Sequence, residues 1–122
     1  MIGFSLDTDL GILYLRPTPP LTSADFEQLT QAVDPWIKDN GQLNALIIEA
    51  PEFPGWDSFG AMLSHFKFVL DHHKLIRKIA VVTDSEAGEV AENFASHFVS
   101  AEIRHFPAGQ REAAKQWAML PL

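Results

Sequence analysis

Residues 43–82 read LNALIIEAPEFPGWDSFGAMLSHFKFVLDHHKLIRKIAVV, and this stretch decides the fold. It opens on Leu43 to Ile48, a nearly continuous apolar run, which is the pattern of a strand buried on both faces. A loop punctuated by proline and glycine follows, Pro51-Glu52-Phe53-Pro54-Gly55-Trp56-Asp57. A helix then covers about Asp57 to His73. Its residues Phe59, Met62, Leu63, Phe66, Val69 and Leu70 span an arc of about 120° at the helical step of roughly 100° per residue. Ile76 to Val82 supplies another buried strand. Strand, helix and strand in this order predict parallel neighbours joined by a right-handed crossover.

Outward from this unit the alternation continues. Toward the amino end, Ile2 to Leu6 and Gly11 to Arg16 read as strands around the short turn Asp7-Thr8-Asp9, so they should pair as an antiparallel hairpin. Pro17, Pro19 and Pro20 stop the second strand. Thr22 is the expected N-cap of a helix, with Asp25 completing a variant capping box. Phe26, Leu29, Val33 and Ile37 form one face of that helix, and Gly41 stands where a left-handed C-cap residue is wanted. Pro35 is expected to kink or divide it. Toward the carboxyl end, Thr83-Asp84-Ser85 caps a helix with Val90, Phe94 and Phe98 at steps of four. Glu102 to Phe106 is an alternating, edge-like strand, and Pro107-Ala108-Gly109 leads into a last helix with Ala113, Ala114, Trp117 and Leu120. The expectation is one α/β domain over residues 1–122, a five-stranded mixed sheet with about four helices in the order β-β-α-β-α-β-α-β-α.

Composition narrows the function classes. A chain of 122 residues buries about two-thirds of its unfolded surface as one domain. No run of about 18 apolar residues occurs, so no membrane-spanning helix is expected. The first residues lack a basic region and reach Asp7 early, against a secretory signal and in favour of the cytoplasm, with peripheral membrane contact allowed. Cysteine is absent, which excludes disulfides and a thiolate nucleophile. A net charge of -7 argues against nucleic acid as a partner, since phosphates call for a basic surface.

Gly55-Trp56-Asp57, the strand Lys78-Ile79-Ala80-Val81-Val82-Thr83-Asp84, and Glu102-Ile103-Arg104-His105-Phe106 before a helix carrying Trp117 together resemble the SpoIIAA-like family. The resemblance runs from Met1 to Leu120. These are small bacterial proteins of the STAS/SEC14-like type, and the likeness implies a fold shared with anti-sigma-factor antagonists and lipid-carrying CRAL-TRIO domains. Fold alone does not assign function. In phosphoregulated antagonists a serine follows an aspartate at the start of the helix after the third strand. Asp57-Ser58 looks like that pair, which makes Ser58 the candidate regulatory residue, while bulky Phe59 and the Phe53–Trp56 insertion depart from its glycine-rich setting.

The SEC14-like relatives imply instead an apolar ligand or membrane contact, and the helix 57–73 has the side chains for it. Phe68 lies outside the apolar arc, flanked by Ser64 and His72, and must face a neighbouring helix, a dimer partner, a ligand or a bilayer. Phe53 and Trp56 either form a lid over a pocket at the carboxyl edge of the sheet or plug the end of the core. The candidate ligand-binding set is therefore Phe53, Trp56, Phe59, Met62, Leu63, Phe66 and Phe68, with Gly55 and Gly60 as hinges. His72, His73, Lys74, Arg77 and Lys78 make a basic cluster that suits an anionic lipid surface or a helix C-terminus. The five histidines lack metal-ligand spacing, Asp84, Glu86 and Glu89 read as a solvated first turn, and no serine has a nucleophile-elbow context. No metal, cofactor or enzymatic activity is expected. The reading is a binding module that holds an apolar small molecule or lipid, or docks on a membrane, with a homodimer as one way to cover the apolar face. The alternative is an antagonist-type protein-interaction module regulated at Ser58. A charged residue at position 68 is expected to weaken ligand or membrane binding while the fold is kept.

Overall fold

The computed structural model describes residues 2–18, 20–50, 59–83 and 102–120, without the side chains of Phe59, Met62, Leu63, Phe66, Leu70 and His73. Strands β1 (Ile2–Asp7) and β2 (Ile12–Pro17) pair antiparallel as the short turn demands. The Asp7 carboxylate accepts from the backbone N–H of Asp9 and Leu10, each at 3.0 Å, and Gly11 closes the turn by donating to the Asp7 carbonyl at 2.8 Å. Gly11 sits at φ +68°, and a Cβ there would come within 2.9 Å of the Trp36 ring. Only glycine fits both the angle and the space.

Strand β3 (Leu43–Glu49) runs parallel to β2, β4 (Ile76–Val82) parallel to β3, and β5 (Glu102–Phe106) parallel to β4. Their spatial order is their chain order, β1-β2-β3-β4-β5. The five-stranded mixed sheet is thus the expected one. Because the strand order never reverses, the sheet lacks the switch-point crevice where ligands of open α/β sheets usually sit.

Helix α1 (Ser23–Asn40) begins on the capping box: Asp25 donates its N–H to the Thr22 hydroxyl at 3.2 Å, and the Asp25 carboxylate accepts from the Thr22 N–H at 2.9 Å. Burial pushes the Asp25 carboxyl up, but hydrogen bonding with Thr22 is among the influences that outweigh it and hold it below the usual carboxylate value. Gly41 ends the helix at φ +93°. Of the two outcomes expected at Pro35, division does not occur: α1 runs through it unbroken. The proline lies on the exposed side, where water can take the carbonyl that loses its partner. Helix α2 (Phe59–His72) is followed by a single 3-10 turn (His73–Leu75) and then β4. Helix α3 (Arg111–Met119) is the last element. Three α-helices stand among the described residues, and the helix expected around Val90, Phe94 and Phe98 falls outside them.

The two faces of the sheet carry separate cores. On one, Phe26, Leu29, Val33 and Ile37 of α1 and Phe68 of α2 pack over Leu13, Leu15, Leu43, Leu46 and Ile76. On the other, Ala114, Trp117 and Ala118 of α3 cover Ile12, Ala45, Ile47, Ala80, Val82 and Phe106. Alanines on both sides of this second contact let α3 lie close across β3 and β4. Leu120 was expected on the apolar face of the last helix, but it follows the helix end and is 60% exposed. Lys78 also departs from expectation. It is 4% exposed, and its ammonium donates to the carbonyls of Trp117 at 2.9 Å and Leu120 at 2.7 Å. Trp117 stands in the last turn of α3 and Leu120 is its C-cap, so a strand lysine joins the Leu120 N–H, which also donates to the Trp117 carbonyl, in closing the helix C-terminus.

Candidate functional site

Among the described side chains, the contact between α1 and α2 is a seam rich in aromatic and polar groups. At one end the Ser64 hydroxyl donates to the Ser23 hydroxyl at 3.1 Å. One turn on, the His65 and Phe26 rings stack at 4.8 Å with 17° between their planes. Phe68 lies 6.3 Å from Phe26 and stacks on His72 at 4.1 Å. At the far end His72 donates through Nε2 to the Asp34 carboxylate at 2.6 Å, and its Nδ1 meets the Phe68 carbonyl at 2.8 Å. Acceptors therefore face both ring nitrogens. Burial of His65 holds its imidazole below the ordinary histidine value. Beyond His72 the helices part into an open groove of about 810 Å³, with Ile37 and Leu75 on its floor and Asp34, Lys38 and Asp71 around it.

Phe68 thus faces a neighbouring helix, one of the four partners its position demanded. Its side chain is 8% exposed, so it belongs to the core and not to an open contact surface. A charged residue at 68 would break the seam, and the fold would not be kept as expected. The described arc that meets α1 is Ser64, His65, Phe68 and His72, four positions at helical spacing that include two histidines and a serine. That spacing was readable. The partners Phe26 and Asp34 were not, because their pairing depends on how the two helices cross. Phe59, Met62, Leu63 and Phe66 occupy α2 on another arc, and their side chains lie outside the described set, as do residues Phe53, Trp56 and Ser58.

The basic cluster does not survive as one surface. His72 turns inward to Asp34, Lys78 is buried under α3, Arg77 is half-buried and Lys74 is exposed, while the His73 side chain is outside the described set. With His72 and Lys78 both buried, the five residues do not form one exposed anionic-lipid contact. At the carboxyl edge of the sheet, Arg16 pairs with Glu49 at 3.1 Å, and His105 donates through Nε2 to the Thr83 carbonyl at 2.6 Å. Among the described residues no group of three histidines or carboxylates is placed to hold a metal ion, and no helix is long and apolar enough to cross a membrane.

The SpoIIAA-like family model matches residues 12–119, which takes in every strand from β2 onward and all three described helices. The chain belongs to the SpoIIAA-like family. A crystal structure with a SpoIIAA-like fold, of an uncharacterized DUF3478-family protein from Shewanella loihica PV-4, is similar to it with a TM-score of 0.75 at 25% identity, over 97% of this chain and 92% of that one. No curated protein matches the sequence. For this SpoIIAA-like chain the fold is therefore that of a STAS-type module, and its β2–α1–β3–α2–β4 unit is what brings the α1–α2 seam onto one face.

Proposed function

We propose that this SpoIIAA-like protein is a non-enzymatic binding module in which α2 is a movable cover, lifting to take an apolar small molecule or lipid or to dock on a membrane. The observation that carries this reading is the make-up of the seam. Helix α2 meets α1 through two histidines, a serine and one phenylalanine, although only Lys67 and Asp71 of its 14 residues, histidines aside, are charged. Ring stacks of this kind add about 0.5–1.5 kcal/mol each beyond the area they bury, and offset stacking tolerates small shifts of one helix against the other. A helix so apolar, held by so adaptable a contact, can exchange α1 for another apolar partner. The interaction-module alternative rests on Ser58, which lies outside the described residues.

The chain has no cysteine, and the Ser23 and Ser64 hydroxyl oxygens are 3.1 Å apart, so the double variant Ser23→Cys/Ser64→Cys can staple the seam. Mass spectrometry of an organic extract of the purified protein should find a stoichiometric lipid or other apolar molecule, or the protein should float with phosphatidylglycerol vesicles. Oxidising the staple should abolish uptake and flotation, and reduction should restore them. A clean extract without flotation overturns the binding reading. Equal binding in both redox states overturns the movable cover.

A further inference from the structure

At the amino-terminal edge of β3 and β4, away from the α1–α2 seam, lies a cavity of about 300 Å³. The turn between β1 and β2, the starts of β3 and β4 and the end of α3 enclose it, and Asn44, Arg77, Lys78, Met119 and Leu120 are among its walls. Its size is at the small end of ligand sites. Two features of its lining are unusual together.

The first is positive charge with no carboxylate partner among the described residues. Lys78 is buried, and the partners its ammonium meets among them are the carbonyls of Trp117 and Leu120 and the Trp117 ring at 5.1 Å. Buried charges are ordinarily paired with an opposite charge, because carbonyl dipoles replace only part of the lost hydration. Arg77 beside it forms no side-chain hydrogen bond or ion pair among the described residues. Asp9, exposed on the turn, is the one carboxylate among the cavity's described walls, so the lining keeps a net positive charge in a chain of net charge -7. The second feature is an apolar wall. Met119 and Leu120 are 53% and 60% exposed, two of the three large hydrophobic residues left most open to water among those described, and Leu10 joins them.

A positive floor and an apolar wall in one small cavity are complementary to an anionic head with a short hydrocarbon tail. We propose that this cavity binds a small monocarboxylate, its carboxylate on Arg77 and Lys78 and its tail along Leu10, Met119 and Leu120. A phosphate would satisfy the cations but leave the apolar wall in water. The site shares no residue with the seam, and it stands whether or not α2 moves.

Titration of the isotope-labelled protein with hexanoate, followed by amide chemical shifts, tests it. Saturable shifts are expected at residues 10, 44, 77, 78, 119 and 120, with acetate and inorganic phosphate at least about tenfold weaker and hexylamine without effect. Arg77→Gln should weaken hexanoate by about tenfold or more. Leu120→Asp changes a residue outside the core and sets a carboxylate at the wall, and it should do the same. Absence of saturable shifts at these amides, phosphate binding as tight as hexanoate, or wild-type affinity in both variants overturns the proposal.

Discussion

At Phe68 the ring meets Phe26 across the seam at 6.3 Å and His72 on its own helix at 4.1 Å, with the rest of its surface in the core beneath α1 and α2. Truncation there removes packing that neighbours cannot readily replace, and Phe68→Ala should cost about 3–5 kcal/mol. Phe4, also a phenylalanine, is 42% exposed on β1, and Phe4→Ala should cost less than about 1 kcal/mol. Urea unfolding of the two variants beside the wild type measures both. A loss near that of Phe4→Ala at position 68 would show that the ring is not held in the core. The pair illustrates why residue type says less than placement. Periodicity put Phe68 off the main apolar arc of α2, but it could not say that α1 supplies a second core contact on that side. Lys78 makes the same point for charge, since its role as a helix-end donor requires α3 to arrive across β4.

At the scale of elements, local signals decided most outcomes. The Thr22–Asp25 capping box and Gly41 start and end α1 where the sequence placed them, because caps satisfy backbone groups within a few residues of each other. The β1–β2 turn depends on Gly11, whose positive φ is local but whose crowding by Trp36 and Asn44 is tertiary. Gly11→Ala should therefore destabilise the protein by more than the roughly 1–2 kcal/mol of left-handed strain alone, since the added methyl also meets the Trp36 ring. Thermal unfolding with urea titration checks this. A cost below about 1 kcal/mol would mean that the turn relaxes freely away from α1. Pro35 does not divide α1: it lies on the exposed side, where water can take the carbonyl freed by its missing N–H.

Over the whole molecule, stability should respond to acid through His65. Burial lowers its affinity for protons relative to the unfolded chain, whose histidine titrates near 6.5, so the unfolded state binds the proton more readily. Stability is then unaffected by this group well above pH 6.5, and it falls as the pH drops from there toward the lowered folded value. Replacing His65 with phenylalanine keeps an aromatic ring over Phe26 and removes the titration. Unfolding midpoints at pH 8, 6.5 and 5 should show a steeper acid loss in the wild type than in His65→Phe, and parallel slopes would refute the effect. The sequence by itself determined the order of the described elements, the hairpin, the caps of α1, the five strands and the membership they imply, because periodicity, turns and capping act over a few residues. Only the tertiary structure decided that Phe68 closes onto Phe26, that His72 reaches Asp34, and that Lys78 leaves the surface to hold the end of α3. Each of those contacts joins residues more than 35 apart in the chain, and their geometry is set by helix crossing and sheet register, which no short-range pattern encodes.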